Sequence, residues 1–505
     1  MTTTEPIKFS GELVARPVIH QPSFDNLNDS RFDQIFLYYE ENKKGEHRYC
    51  LTVVDRTILP TAQLDFPTAA FLVPAGRESE YMFSSKRGLQ SIAESAKCAR
   101  LIAVSFGRHH QFRDQTAVQE ELTYVVQILS RNGEFLPLAS LRKKFKDSSI
   151  PFVALGGIGK RDVLAECETQ FSGKCLVEQV ESEGSIVRRL YFVNNPFVIQ
   201  SEAVLSKENL TVDPSALAFE YHKQMAAGIL TLSNLHQQPS ENPDFVSGIV
   251  IGLGGGGLMT FLQHILPDRK LAAIELDPSI VEVSKKYFGF QESDRTSVRI
   301  GDGLNVKCSE DEGGSESENK NNAISEKDFI LFPKESASFI AIDVDSKDKT
   351  VGISCPPVAF LQCEYIQQLK KILCQKGLLA VNVSARDPKM LDLAIENIHQ
   401  VFESVFISRR DDDEQEENDE VAYTNVVVYA LCEKMEATVP VQELIERMDK
   451  VVQGRAVQET VYAEMKSSLS DIHLYHDETF QKGKNTSQNN NKKKAKRNKK
   501  RGKKK

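Results

Sequence analysis

The sequence predicts an α/β protein in which a smaller α+β domain precedes a parallel sheet covered by helices on both faces. Three observations carry that expectation. From Ser247 onward, short apolar runs alternate with helical stretches, the pattern of a parallel sheet buried on both sides. A run of glycines directly follows the first of those runs, and acids stand at the ends of the next three. At 505 residues the chain is too long for one ordinary core, so two globular domains with tails are expected.

Composition narrows the class. A hydrophobic share of 40% with 27% charged residues is that of a soluble globular protein. No window of eighteen residues is uninterruptedly apolar, so no membrane span is expected. The opening Met1-Thr-Thr-Thr-Glu-Pro lacks a basic start and an apolar run, so no secretory signal is expected and the chain reads as cytoplasmic. Nine cysteines are scattered without a C-x-x-C pair, which reads as reduced thiols and neither a disulfide frame nor a zinc site. The net charge of −8 hides an asymmetry, because the run from Lys492 to Lys505 holds eleven Lys or Arg and no acid. An acidic body thus carries a basic tail suited to weak contact with RNA or the ribosome, or to nuclear import.

Taken in order, residues 1–30 are polar and expected to be flexible. Residues 32–39 and 48–54 read as two strands joined by a hairpin-like connector. Residues 88–99 and 116–129 have helical apolar spacing, and 101–106, 175–180 and 186–194 read as further strands. Residues 31–200 are therefore one α+β domain, in which His109-His110 reads as a surface pair and no metal site is expected. The second domain spans 201–465. Its parallel strands are 247–252, 271–275, 297–301, 338–343 and 377–383, with helices at 258–266 and 365–373. Residues 402–408 and 421–431 close it as an antiparallel pair across an acidic connector at 411–420. An acidic insert at 310–327 is too polar to fold, and the tail at 466–505 is expected to be basic and disordered from about 480.

The chemistry gathers at the ends of these strands. Gly252-Leu-Gly254-Gly-Gly256-Gly257 lies between a strand and a helix, where bare backbone lets a ligand approach the helix N-terminus. Glycines 252, 254 and 257 fit the dinucleotide pattern G-x-G-x-x-G, while Gly252, Gly254 and Gly256 fit the methyltransferase pattern G-x-G-x-G. Glu275, at the end of the second strand, suits the ribose hydroxyls of either ligand. Asp302, at the end of the third, is placed to accept from an adenine amino group, a duty without counterpart in dinucleotide enzymes. The fourth strand ends in Ile342-Asp343-Val-Asp345-Ser-Lys-Asp348, where three carboxylates can face a sulfonium and a substrate amine together. Asp343 is read as cofactor-binding, and Asp345 and Asp348 as the groups that bind the amine and take its proton.

Gly252 to Gly257, Ile274-Glu-Leu-Asp-Pro-Ser279, Gly301-Asp-Gly303 and Asp345-Ser-Lys-Asp348 resemble the spermidine-synthase-like methyltransferase family. So do Val198-Ile-Gln-Ser-Glu202 and Tyr221-His-Lys-Gln-Met225, where that family lines its substrate channel, which implies such a place for Gln200, Tyr221 and His222. Val250-Ile-Gly-Leu-Gly-Gly-Gly256, Tyr287-Phe-Gly-Phe-Gln-Glu-Ser-Asp-Arg295 and Ser354-Cys-Pro-Pro357 are similar to the branch that methylates elongation factor 1-alpha on lysine and at its N-terminus. The resemblance covers about residues 30–465. It implies a seven-stranded Rossmann-like domain, S-adenosylmethionine as cofactor, the α-amine of elongation factor 1-alpha as target, and pairing as a homodimer. That branch has two methyltransferase domains. Only its connecting region and carboxy-terminal domain are resembled here, and no second glycine loop precedes residue 200, so the lysine activity is expected to be absent.

Spermidine synthases carry G-G-G-D-G in this loop, where the acid holds an aminopropyl ammonium. The loop here bears no acid, and bare backbone would accept the carboxylate of intact S-adenosylmethionine that an acid would repel. Methyl transfer is therefore expected over aminopropyl transfer by a polyamine aminopropyltransferase. A translation-associated scaffold without catalysis is the alternative from another class. An NAD-dependent enzyme is disfavoured by Asp302 and by the lack of a hydride-transfer constellation.

Overall fold

The computed structural model describes residues 7–8, 13–17, 32–39, 47–56, 65–131, 150–154, 157–182, 184–193, 198–236, 244–310, 329–346, 352–408, 424–435 and 439–475. The expected insert at 310–327, the connector at 411–420 and the basic tail lie outside these residues, save Glu310. The chain divides into two compact units. The first takes in Met1–Cys167, Lys174–Gln200 and Lys207–Leu210; the second takes in Glu168–Gly173, Ser201–Ser206 and Thr211–Lys505.

The first unit is built on a sheet of seven strands in the order Ile7–Lys8, Leu13–Pro17, Phe32–Tyr39, Tyr49–Asp55, Cys98–Phe106, Phe66–Leu72 and Phe152–Ala154. Helix Gln115–Arg131 covers one face through Val118, Leu122, Val125 and Val126, and helix Lys86–Ser95 covers the other through Leu89 and Ala93. The helix expected at 88–99 stops at Ser95, because Lys97 adopts φ +47° and Cys98 already enters a strand. Residues 66–72, which sequence left unassigned, form a strand parallel to Cys98–Phe106. His109 does have an acid beside it, since its Nδ1 lies 3.0 Å from Glu166. None of the nine cysteines forms a disulfide.

The second unit holds strands β1 (Val246–Ile251), β2 (Leu271–Glu275), β3 (Thr296–Ile300), β4 (Ala337–Ile342), β5 (Ile353–Cys355), β6 (Leu373–Ala385), β7 (Ser404–Ser408), β8 (Thr424–Leu431) and β9 (Ile472–Leu474). Their order is β3-β2-β1-β4-β6-β8-β7-β9, with β5 on β6. The first five are parallel, and β8 runs antiparallel between β6 and β7. The order reverses at β1, so the crevice for a ligand falls outside the carboxyl ends of β1 and β4.

Helices α1 (Glu220–Leu232), α2 (Gly257–Ile265), α3 (Pro278–Tyr287), α4 (Cys363–Ile372), α5 (Pro388–Val401), α6 (Val441–Val452) and α7 (Glu459–Ser468) complete the unit. Side chains of α1, α2, α6 and α7 pack one face of the sheet, and those of α4 and α5 the other. The folded part runs past the expected boundary at 465. Leu469 and Ile472 are buried and β9 pairs with β7, so the tail begins beyond that hydrophobic closure.

Helix α1 is buried from His222 to Leu232, and Gly228 is what lets it lie flat on the sheet. A Cβ there would come within 2.1 Å of the Tyr429 ring, whose hydroxyl donates to the Gln224 carbonyl at 2.7 Å. Gly228→Ala is expected to lower stability by about 1–3 kcal/mol through overpacking. Urea denaturation followed by circular dichroism checks this, and an unmoved midpoint would contradict the packing described.

Candidate functional site

The site starts from the loop between β1 and α2. Gly252, Gly254 and Gly256 take φ of +93°, +52° and +81°, while Gly257 is an ordinary first residue of the helix. The left-handed positions are thus those of G-x-G-x-G. The close packing that demands the third glycine of the dinucleotide pattern is missing at Gly257, where a Cβ would meet nothing nearer than 3.8 Å, which favours the methyltransferase pattern. At Gly252 a Cβ would also meet the Asp343 carbonyl oxygen at 2.1 Å. Gly256 caps α2 without a side chain, which leaves the helix's first N–H groups to be satisfied from outside.

Glu275 ends β2 and is drawn against this loop. Its Oε2 accepts from the N–H groups of Leu253 at 3.0 Å and Gly254 at 3.2 Å, and its Oε1 from that of Asp277 at 3.0 Å. Asp302 lies one strand over, exposed, and accepts from the Leu304 N–H at 2.9 Å. The two strand ends are joined by the Gly301 N–H, which donates to the Glu275 carbonyl at 2.9 Å. Tyr365 donates to the Gly303 carbonyl at 2.7 Å, and burial together with the charge of Asp302 pushes its phenol up, so it stays a donor.

Asp343 follows β4 and gathers the rest. Its Oδ2 accepts from His222 Nε2 at 2.8 Å and from the Tyr221 hydroxyl at 3.4 Å, and its Oδ1 from Asn382 Nδ2 at 3.1 Å. Burial, then the charge of Asp343, raises the Tyr221 phenol well above its usual range. Cys355 is raised in the same way, by burial and then by Asp343 and Asp345, so both remain neutral. Asn382 is buried on β6, and its Oδ1 has no partner among the described residues.

The structure brings Gly252, Gly254, Gly256, Glu275, Asp302, Asp343, Tyr221 and His222 into one unit at one end of the sheet. Asp345 is exposed, whereas Asp343 points to α1. Asp348 lies outside the described residues. Gln200 falls in the first unit, where its N–H donates to the Leu190 carbonyl at 2.9 Å. Sequence reasoning missed Ser201, whose Oγ accepts from the Gly255 N–H at 2.8 Å, and Asn382, which only the fold brings to Asp343.

It also gave no role to Asp277, whose Pro278 neighbour was a legible helix-start signal. Asp277 caps α3 by accepting from Ser279 at 3.0 Å and also takes the Phe171 N–H at 2.9 Å. Burial opposes its charge, but those backbone donors outweigh it and hold the carboxyl below its usual value.

A doubly wound parallel sheet with a G-x-G-x-G loop and strand-end acids defines the second unit as a Rossmann-like domain of the S-adenosylmethionine methyltransferase class, shared with spermidine synthases. No family model matches the chain. It is similar to the human eEF1A lysine and N-terminal methyltransferase, 33% identical over 411 residues, which are 75% of this chain and 54% of that protein. The homolog of Drosophila melanogaster is 33% identical over 394 residues, 76% of this chain and 53% of that protein. The chain thus spans about half the length of the curated relatives it matches. A polyamine aminopropyltransferase of Vibrio vulnificus is 24% identical over 184 residues, 36% of this chain and 49% of that enzyme. Among solved structures, human methyltransferase-like protein 13 in complex with SAH is 30% identical and is matched over 48% of this chain and 97% of that one, with a TM-score of 0.35.

Because the folded carboxyl of Asp277 is depressed, its contribution to stability is present above its ordinary value of 3.8 and lost as pH falls through the lower folded value. Asp277→Ala is expected to cost about 1 kcal/mol at pH 7, the worth of a helix cap, and less at a pH below that window. Thermal melts at both pH values measure the difference; a cost that does not shrink on acidification would show that the charge is immaterial.

Proposed function

We propose that the second unit is an S-adenosylmethionine-dependent protein methyltransferase that acts on the N-terminal α-amine of elongation factor 1-alpha. The observation that carries this reading is the state of Gly255. It has an ordinary φ, so a side chain there is not barred by the backbone. A Cβ would nevertheless meet Ser201 Cβ at 2.6 Å and Phe288 at 3.2 Å, so the loop has no room for an acid at this point. Gly257 is open, with nothing nearer than 3.8 Å to such a Cβ. A bare loop of this kind beside an uncapped helix start suits a carboxylate, which intact S-adenosylmethionine has and its decarboxylated form lacks. The names of the relatives supply the substrate.

The residues present fit this cofactor. Glu275 would hold the ribose, Asp302 the adenine amino group, and the start of α2 the carboxylate. When bound, the cofactor supplies an activated methyl group on sulfur. The protein's task is to present a neutral amine in line with it and to exclude water. A protein α-amine has a free pKa of about 8 against about 10.4 for lysine, so less is needed to bare its lone pair. Asp345 is exposed where an incoming chain end can reach it and, with Asp348, would bind the ammonium and take its proton. Tyr221, kept protonated by burial and by Asp343, stays a hydrogen-bond donor at the same end of the sheet.

The same reading places the protein in the cytoplasm with its substrate and allows pairing as a homodimer. The basic run from Lys492 to Lys505 would add weak, salt-sensitive contact with RNA or the ribosome.

Methyl transfer from tritiated S-adenosylmethionine to elongation factor 1-alpha with a free N-terminus, mapped by mass spectrometry, tests the proposal. Label is expected on the N-terminal residue, reduced about tenfold or more in Glu275→Ala and in Asp345→Ala. Label on lysine would overturn the substrate, and aminopropyl transfer to putrescine from the decarboxylated cofactor would overturn the reaction.

A further inference from the structure

We propose that the first unit carries a ligand site of its own, a small cavity that takes a phosphate group, as inorganic phosphate or a small monoester. The topology marks the place. Strands Cys98–Phe106, Phe66–Leu72 and Phe152–Ala154 lie side by side in that order and run parallel. From Phe66–Leu72 the chain passes through helix Lys86–Ser95 to the strand on one side. It then returns through helix Gln115–Arg131 to the strand on the other. The two helices cover opposite faces, so the order reverses at Phe66–Leu72. In sheets of this kind ligands sit outside the carboxyl ends of the strands at the reversal.

A cavity of about 60 Å³ lies there, lined by Ala75, Gly107 and Gly159, one from the chain that follows each of the three strands. By the measure in which one water takes about 10–15 Å³, it has room for about four to six non-hydrogen atoms, and a phosphate group has five. Its backbone is bare and tied in place. The Ala75 N–H donates to the Ile158 carbonyl at 2.8 Å, and the Gly107 N–H to the Arg48 carbonyl at 2.8 Å. Gly159 takes φ +72°, and a Cβ on it would come within 2.7 Å of the Ala75 nitrogen.

The charges at the cavity select an anion. Lys160, Arg161 and His110 line it, and among the described residues no acid does. Arg161 is buried and held by groups on either side. Its Nη2 donates to Glu78 at 2.6 Å, its Nη1 to the Phe106 carbonyl at 3.3 Å, and its Nε lies 3.0 Å from Glu178. A guanidinium has five N–H groups, so one more remains on each Nη. Lys160 is 81% exposed and loosely paired with Asp162 at 3.6 Å, so its ammonium can turn to an anion at little cost. The field nearby has the same sign: burial first, and then the charges of Arg108, His110, His109 and Arg161, lower His47 to about 4. The two oxygens of a carboxylate would be used by the guanidinium alone, whereas a phosphate has a third for Lys160.

Phosphorus NMR titration of the full chain at fixed ionic strength, with inorganic phosphate and with methyl phosphate, tests the site. Lys160→Glu changes an exposed side chain and leaves the partners of Arg161 alone, and it is expected to weaken phosphate about tenfold or more. Gln111→Glu, at the exposed rim on another loop, is expected to weaken it in the same direction, and Lys160→Arg to keep most of the affinity. Circular dichroism of all three variants is expected to match wild type. Methyl phosphate bound as tightly as inorganic phosphate would extend the ligand to monoesters, and its exclusion would leave free phosphate. Unchanged binding in both acidic variants would put the phosphate elsewhere, as on the basic run from Lys492 to Lys505, and overturn the proposal. So would wild-type protein that binds no phosphate, or acetate that displaces phosphate at equal concentration.

Discussion

The carboxylate of Asp343 is where the second unit is fastened together. The residue stands just past the end of β4, and its N–H reaches back to the Ile251 carbonyl of β1 at 2.9 Å. Its own carbonyl oxygen fills the place that a side chain on Gly252 would need. Its side chain then takes donors from α1, through Tyr221 and His222, and from β6, through Asn382. One residue thus sets the start of the glycine loop, the seat of a buried helix and the position of a ring beside the loop's end. A carboxylate mostly withdrawn from water needs donors to meet it, and these share one group, so loss of any one of them would disturb the others.

The parallel sheet was legible because strands buried on both faces are continuous apolar runs, and each expected strand of the second unit is found within a few residues of its place. The acids at the ends of β2 and β3 were legible for a related reason: a strand must end before a carboxylate can turn to solvent. The division of work between Asp343 and Asp345 was not. Two residues apart on a strand they would share a face, but β4 ends at Ile342, and beyond it the alternation no longer holds. Asp343 turns to α1 and Asp345 is exposed. The His222–Asp343 pair was hidden by its separation of 121 residues, and the Ser201–Gly255 bond by 54. Such pairs belong to topology, which local patterns do not record.

The glycine loop shows how a short motif becomes specific only through backbone geometry. By sequence it satisfied two patterns at once. The three left-handed residues single out Gly252, Gly254 and Gly256, and the two glycines left over differ in what surrounds them. Gly255 is closed by Ser201, whose hydroxyl takes its N–H, while Gly257 opens toward His222. Spermidine synthases place an acid in this loop, whereas here a serine from a preceding strand occupies the room next to it. On the proposed reading, the preference for a carboxylate-bearing cofactor would be built from a missing side chain and from the residue that replaces its volume.

The chemistry of the site depends on which ligand that loop takes. Thermal unfolding with S-adenosylhomocysteine or with NAD in separate samples measures this directly, because a ligand that binds only the folded protein raises its melting temperature. The account predicts a rise with S-adenosylhomocysteine that Glu275→Ala removes, and none with NAD. A rise with NAD, or no rise with S-adenosylhomocysteine at saturating concentration, would contradict it.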